Sequence, residues 1–128
     1  MRAEMSPEHN DVALLAEWNE LAGRHARVLS ALEHSLAEHD LGVTEFEVLE
    51  RLATSQGYEC RMQELTGATH LSQSALSRLV GRLETDGLVE RAMCPNDRRG
   101  IYAHLTDDGR ARYEAARATH RAVLAETL

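Results

Sequence analysis

Apolar side chains recur at three- and four-residue intervals along much of this chain, and that spacing predicts a mainly helical protein. The longest stretch runs from Val12 to Leu36, about seven helical turns, and we place the start of its helix at Asp11. A second helix is predicted to begin at Thr44, because Thr44 and Glu47 have the spacing of a capping box. A last helix follows Thr106, whose hydroxyl can cap a first turn that carries two aspartates.

The segment between the second and the last helix combines helical and strand-like patterns. Gly and Asp residues punctuate it where turns are expected, and the turn of its hairpin contains Pro95-Asn96-Asp97. The predicted elements are, in order, a short strand at Tyr58–Cys60, a helix at Met62–Ala68, a turn at His70-Leu71, a helix at Ser72–Asp86 and a hairpin from Val89 to Leu105.

The helix at Ser72–Asp86 has two chemically different faces. One is an apolar stripe, and the other is polar, with no acidic residue between Leu71 and Leu83. A polar, arginine-bearing helix beside an arginine-tipped hairpin is suited to enter the DNA major groove while the hairpin touches the backbone or minor groove. The pattern therefore predicts a winged helix-turn-helix that binds double-stranded DNA. The candidate contact residues on the helix are Ser72, Gln73, Ser74, Ser77, Arg78 and Arg82.

The net charge of −7 would argue against a nucleic-acid partner if it were evenly spread. It is not, because residues 61–99 hold six arginines against five acidic residues, whereas the rest of the chain holds eight against sixteen. Phosphate attraction is screened within about 8–10 Å at physiological salt, so the local balance matters more than the total. An acidic body weakens non-specific binding, which suits a site-specific regulator.

Several classes of protein are disfavoured by what the chain lacks. We expect a single cytoplasmic domain with no membrane association, because no apolar run is long enough to span a bilayer and no secretory signal opens the chain. Two cysteines are too few for a disulfide framework. No enzyme motif is present, so we expect no catalytic residues, no metal and no cofactor.

The segment from Leu71 to Gly109 resembles the MarR family of bacterial regulators. LSQSALSRLVGRLETDGLVER is similar to that family's recognition helix and following strand, and DRRGIYAHLTDDG to its wing signature. The chain departs from the family in two places. Thr69 and His70 stand where an apolar residue and Gly are usual, and the chain ends where the family typically adds a further dimerisation helix, so it is either a short member or lacks its tail.

The resemblance implies a mainly α fold with some β structure: a winged helix-turn-helix with long N- and C-terminal dimerisation helices and a small antiparallel β wing. Within one domain, 1–128, it implies dimerisation helices at 11–40 and 106–128 and a DNA-binding head at 44–105, after a disordered tail at 1–10. It implies a homodimeric repressor on a palindromic operator. In the wing, Arg98 and Arg99 would contact DNA, with Asp97 orienting Arg99.

The family also binds small organic molecules, often phenolic or carboxylate-bearing, between its dimerisation helices and its DNA-binding head. By resemblance we expect such an effector here. The candidate binding residues are Trp18, His25, Arg27, Phe46 and Glu47.

Three alternatives use the same fold differently. Cys94 at the base of the wing could make the protein a redox sensor, if its thiol is accessible and acidic. A metal sensor would need ligands such as His104, Glu114 and His120 to converge from separate segments. The fold could also serve as a scaffold for a protein partner without binding DNA.

Overall fold

The second half of the first helix, the head and the last helix share one hydrophobic core. The computed structural model describes the backbone of residues 7–94 and 97–128 and the side chains of residues 10–93 and 100–128. Within these residues the elements are α1 (Pro7–Leu36), α2 (Val43–Ala53), β1 (Glu59–Arg61), α3 (Met62–Thr69), α4 (Gln73–Thr85), β2 (Val89–Cys94), β3 (Asp97–Leu105) and α5 (Asp107–Thr127), with short 3-10 turns at Ala37–His39 and Gln56–Tyr58.

The three strands form an antiparallel sheet in the order β1-β3-β2. The hairpin pairs Val89 with Leu105, which confirms the predicted wing, and β1 adds to the other edge of β3 with Cys60 opposite Ala103. Tyr58 was expected in the first strand but lies in the preceding 3-10 turn with a φ of 58°, so that strand begins one residue later, at Glu59. The mainly helical winged-helix architecture is confirmed.

The helix-turn-helix is built from α3 and α4. Ser72 caps α4 as predicted, because its Oγ accepts a hydrogen bond of 3.1 Å from the Ala75 amide. The turn before it is made by His70 in the left-handed conformation, at φ 59°. A histidine thus performs the role that glycine takes more readily, since a side chain disfavours that conformation.

The start of α2 differs from the sequence prediction. The helix begins at Val43 and is capped by Gly42, whose amide donates a 2.8 Å hydrogen bond to Oε1 of Glu45. The predicted capping pair, Thr44 and Glu47, is therefore wrong, because both residues already lie inside the helix. Val43 is buried, and its packing in the core favours a helix that begins at Val43.

The first helix also begins earlier than expected. It starts at Pro7 rather than Asp11, so the predicted disordered tail is wrong for residues 7–10, and residues 1–6 lie outside the described part of the chain. Only its second half reaches the core, through Leu32 and Leu36, whereas its first half exposes most of its large apolar side chains.

Two glycines in helices predict opposite effects of the same substitution. A Cβ at Gly109, in the first turn of α5, would collide with the carbonyl oxygen of Leu88 and lie 2.7 Å from Cδ1 of Leu105. Gly67, in α3, has nothing within 4 Å of such a Cβ. We expect Gly109→Ala to lower the free energy of unfolding by about 3 kcal/mol, and Gly67→Ala to raise it by about 0.5–1 kcal/mol.

Urea unfolding of both variants, followed by circular dichroism, measures the two shifts against the parent. Equal shifts of the same sign would contradict this packing of α5 against Leu88, just before β2, and Leu105, at the end of β3.

Candidate nucleic-acid interface

The recognition helix α4 separates its apolar and polar side chains onto opposite faces. Its core face is almost fully buried, and this fixes the helix on the domain. Its other face is open to solvent, and the first three turns of this face carry no carboxylate. The buried side chains are Leu76, Leu79, Val80 and Leu83, and the exposed ones in the first three turns are Gln73, Ser74, Arg78 and Arg82.

The N-terminal end of α4 presents three small polar side chains to solvent. Ser72 uses its oxygen as the helix cap, but its hydroxyl hydrogen remains a donor. Gln73 and Ser74 follow in the first turn, where the positive end of the helix dipole favours an anion such as phosphate. The Gln73 amide holds a donor and an acceptor side by side, which is the pairing that adenine offers in the major groove.

Arg78 and Arg82 lie one turn apart on the exposed face. Both line a groove of about 380 Å³ between α4 and the N-terminal turn of α2, with Glu33 and Glu45 on its other wall. Two guanidinium groups at this spacing can contact adjacent phosphates or a phosphate and a base edge.

Ser77, the remaining predicted contact on α4, is half-buried and faces the wing rather than open solvent. Its backbone oxygen accepts a 2.6 Å hydrogen bond from Nη2 of Arg91, and its Oγ accepts one of 3.3 Å from Nη1. Nε of the same arginine lies 2.8 Å from Oε1 of Glu84. Sequence reasoning missed Arg91, although the alternation of β2 places it on the same side as buried Val89 and could have indicated its direction.

The tip of the wing contains the remaining predicted contacts. The side chains of Asp97, Arg98 and Arg99 lie outside the described residues, as does that of Cys94, so their roles in DNA contact or redox sensing stay predictions. The backbone of the three wing residues belongs to β3. Nearer the base of the hairpin, Met93 and Ile101 are exposed.

A second concave feature lies where α1, α2 and α5 meet. This cavity of about 300 Å³ is lined by residues of all three helices. It brings together two of the predicted effector residues, His25 and Glu47, with two that were not predicted, Glu50 and His120. Its other walls are Val28, Leu29, Leu32 and Val43.

The two added residues belong to a network that joins α2 to α5. Glu50 accepts a hydrogen bond of 3.1 Å from the hydroxyl of Tyr113 and pairs with Arg121, whose Nη1 also lies 2.6 Å from Nδ1 of His120. The ring of His120 stacks on Phe46, with 4.3 Å between the ring centroids.

The contacts within this network shift the pKa values of Glu50, His120 and Tyr113. Burial by itself raises the pKa of Glu50, but the hydrogen bonds from Arg121 and Tyr113 outweigh it and leave that pKa below its ordinary value. Burial, reinforced by the charge of Arg121, lowers the pKa of His120, and burial together with the Glu50 hydrogen bond raises the pKa of Tyr113. At neutral pH the cavity therefore presents the Glu50 carboxylate and an uncharged His120.

The other three predicted effector residues do not line this cavity. Phe46 is fully buried in the core behind His120. Trp18 is exposed on the first half of α1, and exposed Arg27 lies beside Gly23 on the same helix. Periodicity correctly placed all three on helices but could not show which helix faces meet.

Neither a metal centre nor a membrane span is found in the described part of the chain. Among those residues, no three His, Cys, Asp or Glu side chains are grouped closely enough to hold a metal ion. No described helix is long and apolar enough to cross a bilayer. Cys60 is a buried free thiol whose pKa is raised by burial and by neighbouring Glu64.

Comparison with known sequences agrees with the helix-turn-helix assignment. A sequence model of the MarR family matches residues 39–100. The Bacillus subtilis protein YkoM, an uncharacterized HTH-type transcriptional regulator, is 37% identical over 83 residues, which cover 62% of this chain and 53% of that protein. The chain spans about half the length of the curated relatives it matches.

Two crystal structures from Streptomyces coelicolor share the fold over nearly the whole chain. AbsC, a MarR family transcriptional regulator, is 28% identical with a TM-score of 0.86, covering 99% of this chain and 82% of that one. Sco3205, a MarR family transcriptional regulator solved in complex with DNA, is 26% identical with a TM-score of 0.84, covering 100% of this chain and 78% of that one.

Proposed function

The chain belongs to the MarR family of transcriptional regulators, and we propose that it is a repressor that binds a palindromic double-stranded DNA operator as a homodimer. We further propose that a small phenolic molecule releases it from that operator.

The observation that carries the proposal is the exposed face of α4. A helix that merely covered a core would be free to carry acidic residues on its solvent side, as most of this acidic chain does. Here the exposed side chains of its first three turns are serine, glutamine and arginine, which are donors for phosphates and base edges. The DNA complex of Sco3205 supports the same use of the fold.

The homodimer is supported by the unpartnered first half of α1. Five large apolar side chains there are 59–68% exposed, and contiguous exposed apolar surface of this kind marks an interface. The exposed C-terminal Leu128 lies beside this helix, since its carbonyl accepts a 3.0 Å hydrogen bond from Arg24. A second copy would cover both, and two heads would read two half-sites about one helical turn apart. The exposed residues of α1 are Val12, Leu14, Leu15, Trp18 and Leu21.

The cavity between α1, α2 and α5 is the proposed effector site. Its volume is near the lower end for small-molecule pockets. Glu47 and Glu50 place acceptor oxygens in its wall, the latter already paired with Arg121, so a phenol, which donates through its hydroxyl, fits better than a carboxylate. Val43 lines both this cavity and the groove beside Arg78 and Arg82, so a ligand that moved α2 would also shift the DNA-binding surface.

Substitutions on α4 test the DNA-binding face. Gln73→Ala should relax the preference at one base position, at a cost of about 1–3 kcal/mol for the best site. Arg82→Ala should weaken binding to all duplexes alike and reduce the salt dependence by about one phosphate contact. Arg27→Ala removes an exposed arginine from α1 and serves as the matched control.

Fluorescence anisotropy measures these affinities on a duplex that the parent protein selects from a random pool, at several salt concentrations. A parent protein that selects no duplex would overturn the proposed function. If Arg82→Ala and Arg27→Ala had equal effects, α4 would not be the contact surface.

The exposed α1 face predicts how dimerisation can be broken. Leu15→Glu combined with Trp18→Glu should convert a dimer at micromolar concentration into a monomer, because each dimer would then bury four carboxylates in an apolar interface. Sedimentation velocity reads the outcome, and Glu17→Gln on the same helix is the control. A parent chain that sediments as a monomer would contradict the homodimer.

The effector proposal predicts selective release of DNA. Neutral phenols should dissociate the protein–DNA complex at lower concentration than benzoates of similar size, and Val28→Phe, which fills the cavity, should abolish release while DNA still binds. Titration of the complex with both series measures this. Equal release from the parent and from Val28→Phe would place the ligand elsewhere.

A further inference from the structure

Arg91 connects the wing to the recognition helix through two hydrogen bonds and one ion pair of its guanidinium group. Nη2 and Nη1 donate to the backbone oxygen and Oγ of Ser77, and Nε lies against the carboxylate of Glu84. The two partners on α4 are seven residues apart, so the side chain spans about two turns of the helix. The planar, forked head of arginine can donate to both Ser77 oxygens and at the same time lie beside the Glu84 carboxylate, which a lysine ammonium cannot do.

The surrounding structure holds this side chain in place. On the strand side, the pairing of Arg91 with Ala103 fixes its backbone in the middle of the hairpin ladder. On the helix side, Gly81 lies between the two acceptors, and a Cβ there would stand 3.5 Å from Nη2. A methyl group at Gly81 would therefore be in ordinary van der Waals contact with the guanidinium, which packs closely over this part of the helix.

We propose that Arg91 is a positioning residue for DNA recognition, which fixes the wing relative to α4 so that both elements meet the duplex in one register. This inference rests on the proposed DNA-binding function. Ser77, expected at base edges, acts in this arrangement chiefly as an acceptor for Arg91. The pairing also neutralises Glu84, the first carboxylate on α4, which would otherwise repel the phosphate backbone.

The alternative is that Arg91 only adds to the stability of the whole fold. A local loosening of the hairpin can be distinguished from a loss of global stability. Arg91→Lys keeps the positive charge but cannot reach the three acceptors together. Glu84→Gln removes only the charge partner and serves as a milder second variant. Arg110→Lys is the matched control, because Arg110 stacks over Tyr58 and belongs to α5.

Hydrogen exchange of the free protein is the first measurement. Arg91→Lys should raise amide exchange in β2 and β3 by about tenfold while leaving α2 and α5 at parental rates, since lost charge-assisted hydrogen bonds open the hairpin locally. A uniform rise across the whole chain would identify a purely structural role and overturn the inference.

Binding to the duplex selected by the parent protein is the second measurement. Arg91→Lys should weaken binding by about tenfold and lose hydroxyl-radical protection in the minor groove beside each half-site, while guanine N7 protection in the major groove persists. Glu84→Gln should have a smaller effect in the same direction, and Arg110→Lys should bind like the parent.

The two measurements also separate failure of this inference from failure of the proposed function. Parental exchange and parental footprints for Arg91→Lys would overturn the positioning role. A parent protein that selects no duplex would overturn the proposed function and with it the DNA role of Arg91, and the exchange data would still decide whether Arg91 holds the hairpin on α4.

Discussion

The arrangement of this protein depends on one constraint, that α4 must be anchored by its apolar face while its polar face stays in solvent. Leucine and valine side chains bury the first face in the core, so the second is held at a fixed orientation while Gln73, Ser74, Arg78 and Arg82 stay exposed. A reading surface built this way is preorganised, because its donors are exposed on a helix whose orientation is already fixed by the core.

The elements around α4 extend this constraint to the rest of the molecule. On one side, Arg91 ties the wing to the helix at the carbonyl of Ser77. On the other, α2 lies between α4 and the cavity, with Val43 contributing to the walls of both. The buried Phe46 on the same short helix stacks on His120 of α5. A displacement of α2 therefore has a direct mechanical route from the cavity to the DNA-binding face, through packed side chains.

The elements that sequence reasoning located well are those with a strong local signal. The two faces of α4, its Ser72 cap and the hairpin could be predicted because each rests on the spacing of neighbouring residues. The cap of α2 could not, because Gly42 with Glu45 and Thr44 with Glu47 offer the same spacing in two registers, and the burial of Val43 selects between them.

The effector residues and Arg91 show the other limit of sequence reasoning. Periodicity puts Trp18 and His25 on one helix but cannot tell that only the second half of that helix packs against α2 and α5. Arg91 was missed because its partners lie seven and fourteen residues away in sequence, beyond the range of any local pattern. The effector cavity and the role of Arg91 both depend on contacts between helices and strands that are distant in sequence.

Methylation protection of guanine N7 along the selected duplex records where the protein enters the major groove. If two copies of α4 read the operator, two protected patches should lie about one helical turn apart, related by the two-fold symmetry of the site. A single patch, or binding without any major-groove protection, would contradict a paired recognition helix as the reading element.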